Sequence, residues 1–182
     1  MNAGNVDNDM NHIKRVLEDE FSGKDIKIDF LGDRSLVALQ GPKAAQMLQP
    51  LLDRDLMKVP FMSIFNAKLK VLDIDAIVCR CGYTGTRHAN KGEDGFEISI
   101  KNTDAEKFAD YLFSKNSDLV PAGLAARDSL RLEAGLCLHG HEMTTEITPL
   151  DAVLMWIVRK KDIQVAYIGK DALMKQKEVC IC

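Results

Sequence analysis

The sequence has no apolar run approaching the roughly 20 residues of a membrane-spanning helix. It also has no surplus of positive charge. Its 24 basic and 27 acidic residues leave a net charge of −3, without the clustered basic face that a nucleic-acid footprint needs. Neither a membrane nor a nucleic acid is therefore expected as a partner. Cysteine is sparse. Cys79, Cys81, Cys137, Cys180 and Cys182 form an odd set with close Cys-x-Cys pairs, unlike a secreted disulfide framework. A reducing compartment is the expectation. The opening Met1-Asn2-Ala3-Gly4-Asn5 is neither a signal peptide nor an Arg-rich transit peptide, so the chain as written carries no import signal. Internal repeats, low-complexity tracts and long linkers are absent as well. No Gly-Lys-Ser/Thr follows the glycine turns, which excludes a P-loop.

What is there suits a folded protein. The 182 residues suffice for one substantial domain or two small ones sharing a core. A hydrophobic content of 46% with 28% charged residues is that of a soluble globular chain. Met10, Ile13, Val16, Leu17 and Phe21 recur at helical spacing, and Gly23 closes that helix. Ile26, Ile28 and Phe30 alternate as a half-buried strand would, and Ser35 to Leu39 reads as a second strand. Pro42 is placed to open a helix, whose apolar face is Ala44, Ala45, Met47, Leu48, Leu51 and Leu52. Phe61 to Val71, Asp75 to Arg80 and the Phe96-Ile98-Ile100 alternation predict further strands. Thr103 with Glu106 reads as a capping box for a helix with Ala105, Phe108, Ala109, Leu112 and Phe113 inward. Pro121 precedes another helix, carrying two arginines and closed by Gly135. Thr148, Pro149 and Asp151 signal a helix start, with Leu150, Val153, Leu154 and Ile157 as its stripe and Trp156 packed beside it. Lys170 to Glu178 reads as a last short helix. Helices and strands mix without strict alternation, which predicts an α+β fold with a mostly antiparallel sheet flanked by helices.

Two segments concentrate chemistry. The first is the glycine-rich turn Cys81-Gly82-Tyr83-Thr84-Gly85, followed by Glu93-Asp94-Gly95-Phe96-Glu97. Glu97 and Ser99 share the face opposite Phe96 and Ile98. There Glu97 is either solvated or, in a cleft, able to accept two parallel N–H bonds from a ligand edge. The second is Gly123 to Gly135. Arg127 and Arg131 are four apart, hence on one helix side. They either join Asp128 and Glu133 in a structural charge cluster or offer a guanidinium fork to an anion or ring acceptor. His139, His141 and Glu142 lack the spacing and further ligand of a zinc site, so no metal is expected. Cys180 and Cys182 read as inert, and His88 as solvated.

Taken together and in order, Gly82-Tyr83-Thr84-Gly85, Glu93 to Ile98 and Gly123 to Leu136 closely resemble the T-protein of the glycine cleavage system. That family is the tetrahydrofolate-dependent aminomethyltransferases. Leu39-Gln40-Gly41-Pro42, Gly140-His141-Glu142-Met143, Ile147-Thr148-Pro149-Leu150 and Tyr167-Ile168-Gly169 support the match over nearly the whole chain. The resemblance implies a folate-binding α+β fold in residues 1–178, incomplete here, with 179–182 a divergent tail. It implies one-carbon transfer from an aminomethyl-lipoyl H-protein to tetrahydrofolate with release of ammonia, in the mitochondrion, and it implies that Glu97 and Arg127 hold the folate. No catalytic residue is carried over. The family's aspartate lies upstream of the segment matched here, and its C-terminal barrel lies downstream. The alternative is a non-catalytic folate-binding or partner-binding fragment. Thr86 to Gly92 is an insertion relative to the family. A segment short of its usual covering parts is also expected to expose apolar surface.

Overall fold

The computed structural model describes residues 3–85, 93–158 and 166–179. Its strands are β1 (Arg34–Gln40), β2 (Ile64–Leu69), β3 (Ile74–Arg80) and β4 (Gly95–Lys101). Its helices are α1 (Val6–Glu20), α2 (Ala44–Leu48), α3 (Ala105–Lys115), α4 (Leu124–Glu133) and α5 (Lys170–Val179). The chain divides into two compact units, Leu31–Leu136 and Met1–Phe30 with Cys137–Cys182. The insertion at 86–92 and the cysteines at 180 and 182 lie outside the described residues.

The Leu31–Leu136 unit is built on one sheet in the order β1-β4-β3-β2, with every neighbouring pair antiparallel. This is the α+β arrangement that the mixed pattern predicts. Alternation sets the two faces. Phe96, Ile98 and Ile100 of β4 enter a core with Val78 of β3, Leu69 of β2, Leu48 of α2, Leu51 and Leu56 of the connecting turns, and Phe108 of α3. On the other face Ala38 and Cys79 flank Glu97 as its cross-strand partners. That face also leaves Leu36 and Ile64 exposed.

Arg80, at the end of β3, fixes the start of the β3–β4 connection. Its guanidinium donates to both Asp94 oxygens at 3.0 and 2.9 Å and to the Leu56 and Val59 carbonyls at 2.9 and 2.6 Å. One half-buried arginine thus ties β3, β4 and the Leu56–Lys58 turn together.

Local expectations fail where they needed a partner or a freer backbone. Pro42 lies in the turn before α2, whose N-cap is Lys43. The helix then gives way to a 3-10 turn at Gln49–Leu51, where Pro50 has no amide hydrogen to donate. Leu48 and Leu51 still reach the core, so the apolar face survives the change. The Thr103–Glu106 capping box does not form. Asn102–Asp104 makes a 3-10 turn, and Asp104 is the N-cap of α3 without a side-chain cap bond. Phe108 and Leu112 point inward, whereas Phe113, roughly 100° further round the helix than Leu112, is 45% exposed.

In the other unit α1 takes its predicted place, and Gly23 has a φ of 79° just beyond it. Ile26, Ile28 and Phe30 form no strand and are all exposed. Alternation without a neighbouring strand supplies no hydrogen-bond ladder. The signal at Thr148 to Asp151 yields turns rather than a helix. The Asp151 carboxylate accepts from the Thr148 N–H and hydroxyl at 3.0 and 2.8 Å. Val153 then takes a φ of 57°, which a right-handed helix cannot contain. The predicted stripe is lost with it, and Trp156 is 66% exposed. The last helix is present as α5. Among the described residues no helix is long and apolar enough to cross a membrane.

Candidate functional site

Glu97 is half-buried on the open face of the sheet, and its neighbours in β4, Phe96 and Ile98, are wholly buried. The strand therefore fixes the carboxylate's direction. Past β3 the chain stays extended, with the Cys81 N–H donating to the Gly95 carbonyl at 2.9 Å. It then turns at Gly85, whose φ of 72° is one that glycine adopts without strain. The Gly85 N–H donates to the Leu130 carbonyl of α4 at 3.0 Å. That bond docks the glycine turn on the arginine helix.

Docking brings Tyr83 and Arg127 together. The guanidinium carbon lies 5.1 Å from the ring centroid, within cation–π range. The Tyr83 hydroxyl is buried and has no hydrogen-bond partner among the described residues. Its pKa is pushed up to about 12. Burial is the main cause, Arg127 opposes it, and the Glu97 charge adds to it. The Glu97 carboxylate thus acts on the Tyr83 hydroxyl and helps hold its proton. The Cys81 thiol, which donates to the Cys79 carbonyl at 3.6 Å, is also pushed up to about 12, by burial first and then by Glu97. A groove of about 820 Å³ opens beside Tyr83 and Arg127, with Val37, Met47, Leu112 and Phe113 among its apolar walls.

The two arginines of α4 part ways. Arg131 is 6% exposed. It holds Asp128 through Nε and Nη2 at 2.8 and 2.7 Å and the Leu136 carbonyl through Nη1 at 3.0 Å. It belongs to the structural charge cluster that the spacing also allowed, while Arg127 faces outward over Tyr83. The structure thus gathers Glu97 and Arg127 around Tyr83, a residue of the glycine turn to which sequence pattern assigns no role. Its signal there is an aromatic ring inside an otherwise small-residue turn. His139, His141 and Glu142 are not gathered in this way. Glu142 accepts the Leu138 N–H at 3.0 Å, and no group of three ligands able to hold a metal occurs among the described residues.

Comparison with known proteins gives this geometry a setting. The model of the GCVT N-terminal domain matches residues 1–162. The mitochondrial aminomethyltransferase of Dictyostelium discoideum is 42% identical over 171 residues, covering 88% of this chain and 40% of that protein. That of Pisum sativum is 40% identical over 97% of this chain and 42% of its own length. The aminomethyltransferase of Thermoanaerobacter sp. strain X514 is 41% identical over 98% of this chain and 45% of its own length. The crystal structure of the glycine cleavage system aminomethyltransferase T from Bartonella henselae superposes with a TM-score of 0.79 at 36% identity, covering 98% of this chain and 44% of that one. This chain therefore spans less than half the length of the curated relatives it matches. With most of its residues inside the family match, and with the sheet and helices of a solved relative, it belongs to the family of the GCVT N-terminal domain.

Proposed function

We propose that this chain forms the folate-gripping part of an aminomethyltransferase of the glycine cleavage system. The observation that carries the reading is the buried Tyr83 hydroxyl, which has no hydrogen-bond partner among the described residues, feels the half-buried Glu97 carboxylate and belongs to the ring that the Arg127 guanidinium covers. A buried hydroxyl without a partner is costly, and a bound polar ring would supply one. The residues fit a reduced pterin. Glu97 offers two acceptor oxygens to the adjacent N–H donors of the ring's amino edge. Arg127 offers a planar fork to the acceptor side or to an anion, and Tyr83 supplies a stacking face and a hydroxyl. Tetrahydrofolate would accept the one-carbon unit, delivered on the lipoyl arm of an H-protein partner with release of ammonia.

Calorimetric titration of this chain with tetrahydrofolate tests the reading. Binding is expected, and Glu97→Ala and Arg127→Ala are each expected to weaken it by about 1.5–3 kcal/mol, the scale of a charge-assisted hydrogen bond. Equal affinity in wild type and both variants would remove Glu97 and Arg127 from the site. Methylenetetrahydrofolate formation from aminomethyl-loaded H-protein then separates a catalytic chain from one that only binds.

A further inference from the structure

The Tyr83 ring stands where it does because of its backbone, and one side chain on β1 holds that backbone. Gln40 is the cross-strand partner of Gly95 in the β1–β4 ladder. On its other side Gly95 accepts the Cys81 N–H. Gln40, Gly95 and Cys81 therefore stand in three adjacent columns of the sheet. The Gln40 side chain crosses over Gly95 from the first column to the third. There its Nε2 donates to the Cys81 carbonyl at 3.2 Å, and its Oε1 accepts the Tyr83 N–H at 3.0 Å. One carbonyl and one N–H of an extended segment are the pair that a neighbouring strand would engage, and here a side-chain amide engages both. The crossing needs glycine at 95, because a Cβ there would collide with the Gln40 amide.

We propose that Gln40 is a positioning residue for the ligand site. By bridging Gly95 it keeps Cys81 to Tyr83 extended beyond the end of β3, so that the Tyr83 ring meets Arg127 and its hydroxyl stays beside Glu97. The Gly85–Leu130 bond fixes the far end of the same segment on α4, and Gln40 fixes the near end. This assignment rests on the reading of Glu97, Tyr83 and Arg127 as the folate site.

Two variants separate the bridge from the residues it connects. Gln40→Met keeps the length of the side chain and removes both hydrogen bonds. Gly95→Ala keeps the amide and blocks its path. Both are expected to speed hydrogen exchange at the Tyr83 amide by about tenfold or more while leaving the Ile98 amide in β4 unchanged, since one lost hydrogen bond is worth about that factor. Tetrahydrofolate binding by Gln40→Met should weaken by about tenfold. In a Tyr83→Ala background the same change should cost no further affinity, because contacting residues do not add. Wild-type exchange at Tyr83 in Gln40→Met overturns the proposal, and so does an affinity loss that persists without the tyrosine. If Gly95→Ala does not fold, Gln40→Met alone decides. If the wild-type chain binds no tetrahydrofolate, the folate reading falls, and exchange at the Tyr83 amide still decides whether Gln40 holds the segment.

Discussion

The guanidinium of Arg127 stands 5.1 Å from the centre of the Tyr83 ring, so the outward cation of α4 covers the aromatic residue of the glycine turn. The ring's hydroxyl is buried and has no hydrogen-bond partner among the described residues. Removing the hydroxyl should therefore act with opposite signs on stability and on binding. Tyr83→Phe deletes a buried unsatisfied group and should leave the unliganded chain equally stable or up to about 1 kcal/mol more stable. The same change should weaken tetrahydrofolate binding by about 1 kcal/mol if the ligand supplies the missing partner. Urea unfolding and calorimetric titration on the one variant check both halves. Unchanged affinity would leave the ring as a stacking surface only.

Arg127 and Arg131 should separate in the same two measurements. Arg131→Met strands the Asp128 carboxylate and the Leu136 carbonyl that its guanidinium now holds. A loss of about 1–3 kcal/mol in unfolding free energy is expected, the scale for orphaned polar groups. Arg127→Met loses an exposed cation–π contact worth about 0.5–1 kcal/mol and should act chiefly on folate affinity. Equal loss of stability in the two variants would contradict the division of labour between them.

That division was only half legible in the sequence. Spacing of four places both arginines on one side of a helix. Arg131 also donates to the Leu136 carbonyl, which the chain brings to it past the helix end, and helical periodicity carries no record of that return. β4 was legible because Phe96, Ile98 and Ile100 alternate, and the same alternation put Glu97 on the opposite face. Ile26, Ile28 and Phe30 alternate just as well and form nothing, since a strand also requires a neighbour. The meeting of Tyr83 with Arg127 depends on long-range bonding such as that of Gly85 to Leu130. A local pattern cannot express it. An ordered match of both segments to one family implies a role for Glu97 and Arg127 without expressing that bond.

Arg80 and Asp94 make an ion pair beside the site that is largely shielded from solvent, with side chains 16% and 23% exposed. Asp94 accepts two guanidinium bonds and also the Gly95 N–H at 3.0 Å. Asp94→Asn keeps the shape and removes the charge, leaving the Arg80 guanidinium without its counter-ion. The loss should be about 2–3 kcal/mol in urea unfolding, below the cost for a fully buried pair because both side chains keep some solvent. Folate affinity should fall as well, because the pair anchors the strand that carries Glu97. A variant as stable as wild type would show that the two backbone carbonyls alone suffice to hold Arg80.

Alkaline pH should expose the electrostatics of Glu97 and Arg127 without any ligand. The Cys81 thiol and the Tyr83 hydroxyl, ordinarily near 9.0 and 10.0, are both pushed up to about 12, with burial the main cause in each. Each group therefore binds its proton more tightly in the folded chain than in the unfolded one. Their contribution to stability is complete below pH 9. It declines as the unfolded thiol and then the unfolded phenol ionise, and it is lost as the pH passes through about 12. Glu97 raises both groups, whereas Arg127 lowers Tyr83. Glu97→Gln should accordingly bring both ionisations down and flatten the fall in melting temperature between pH 9 and 12, and Arg127→Met should raise the Tyr83 ionisation further and steepen it. Thermal unfolding across that range, with ultraviolet titration of tyrosinate beside it, reads both effects. Identical profiles for the two variants would mean that neither charge acts on Tyr83, and the cluster would lose its electrostatic basis.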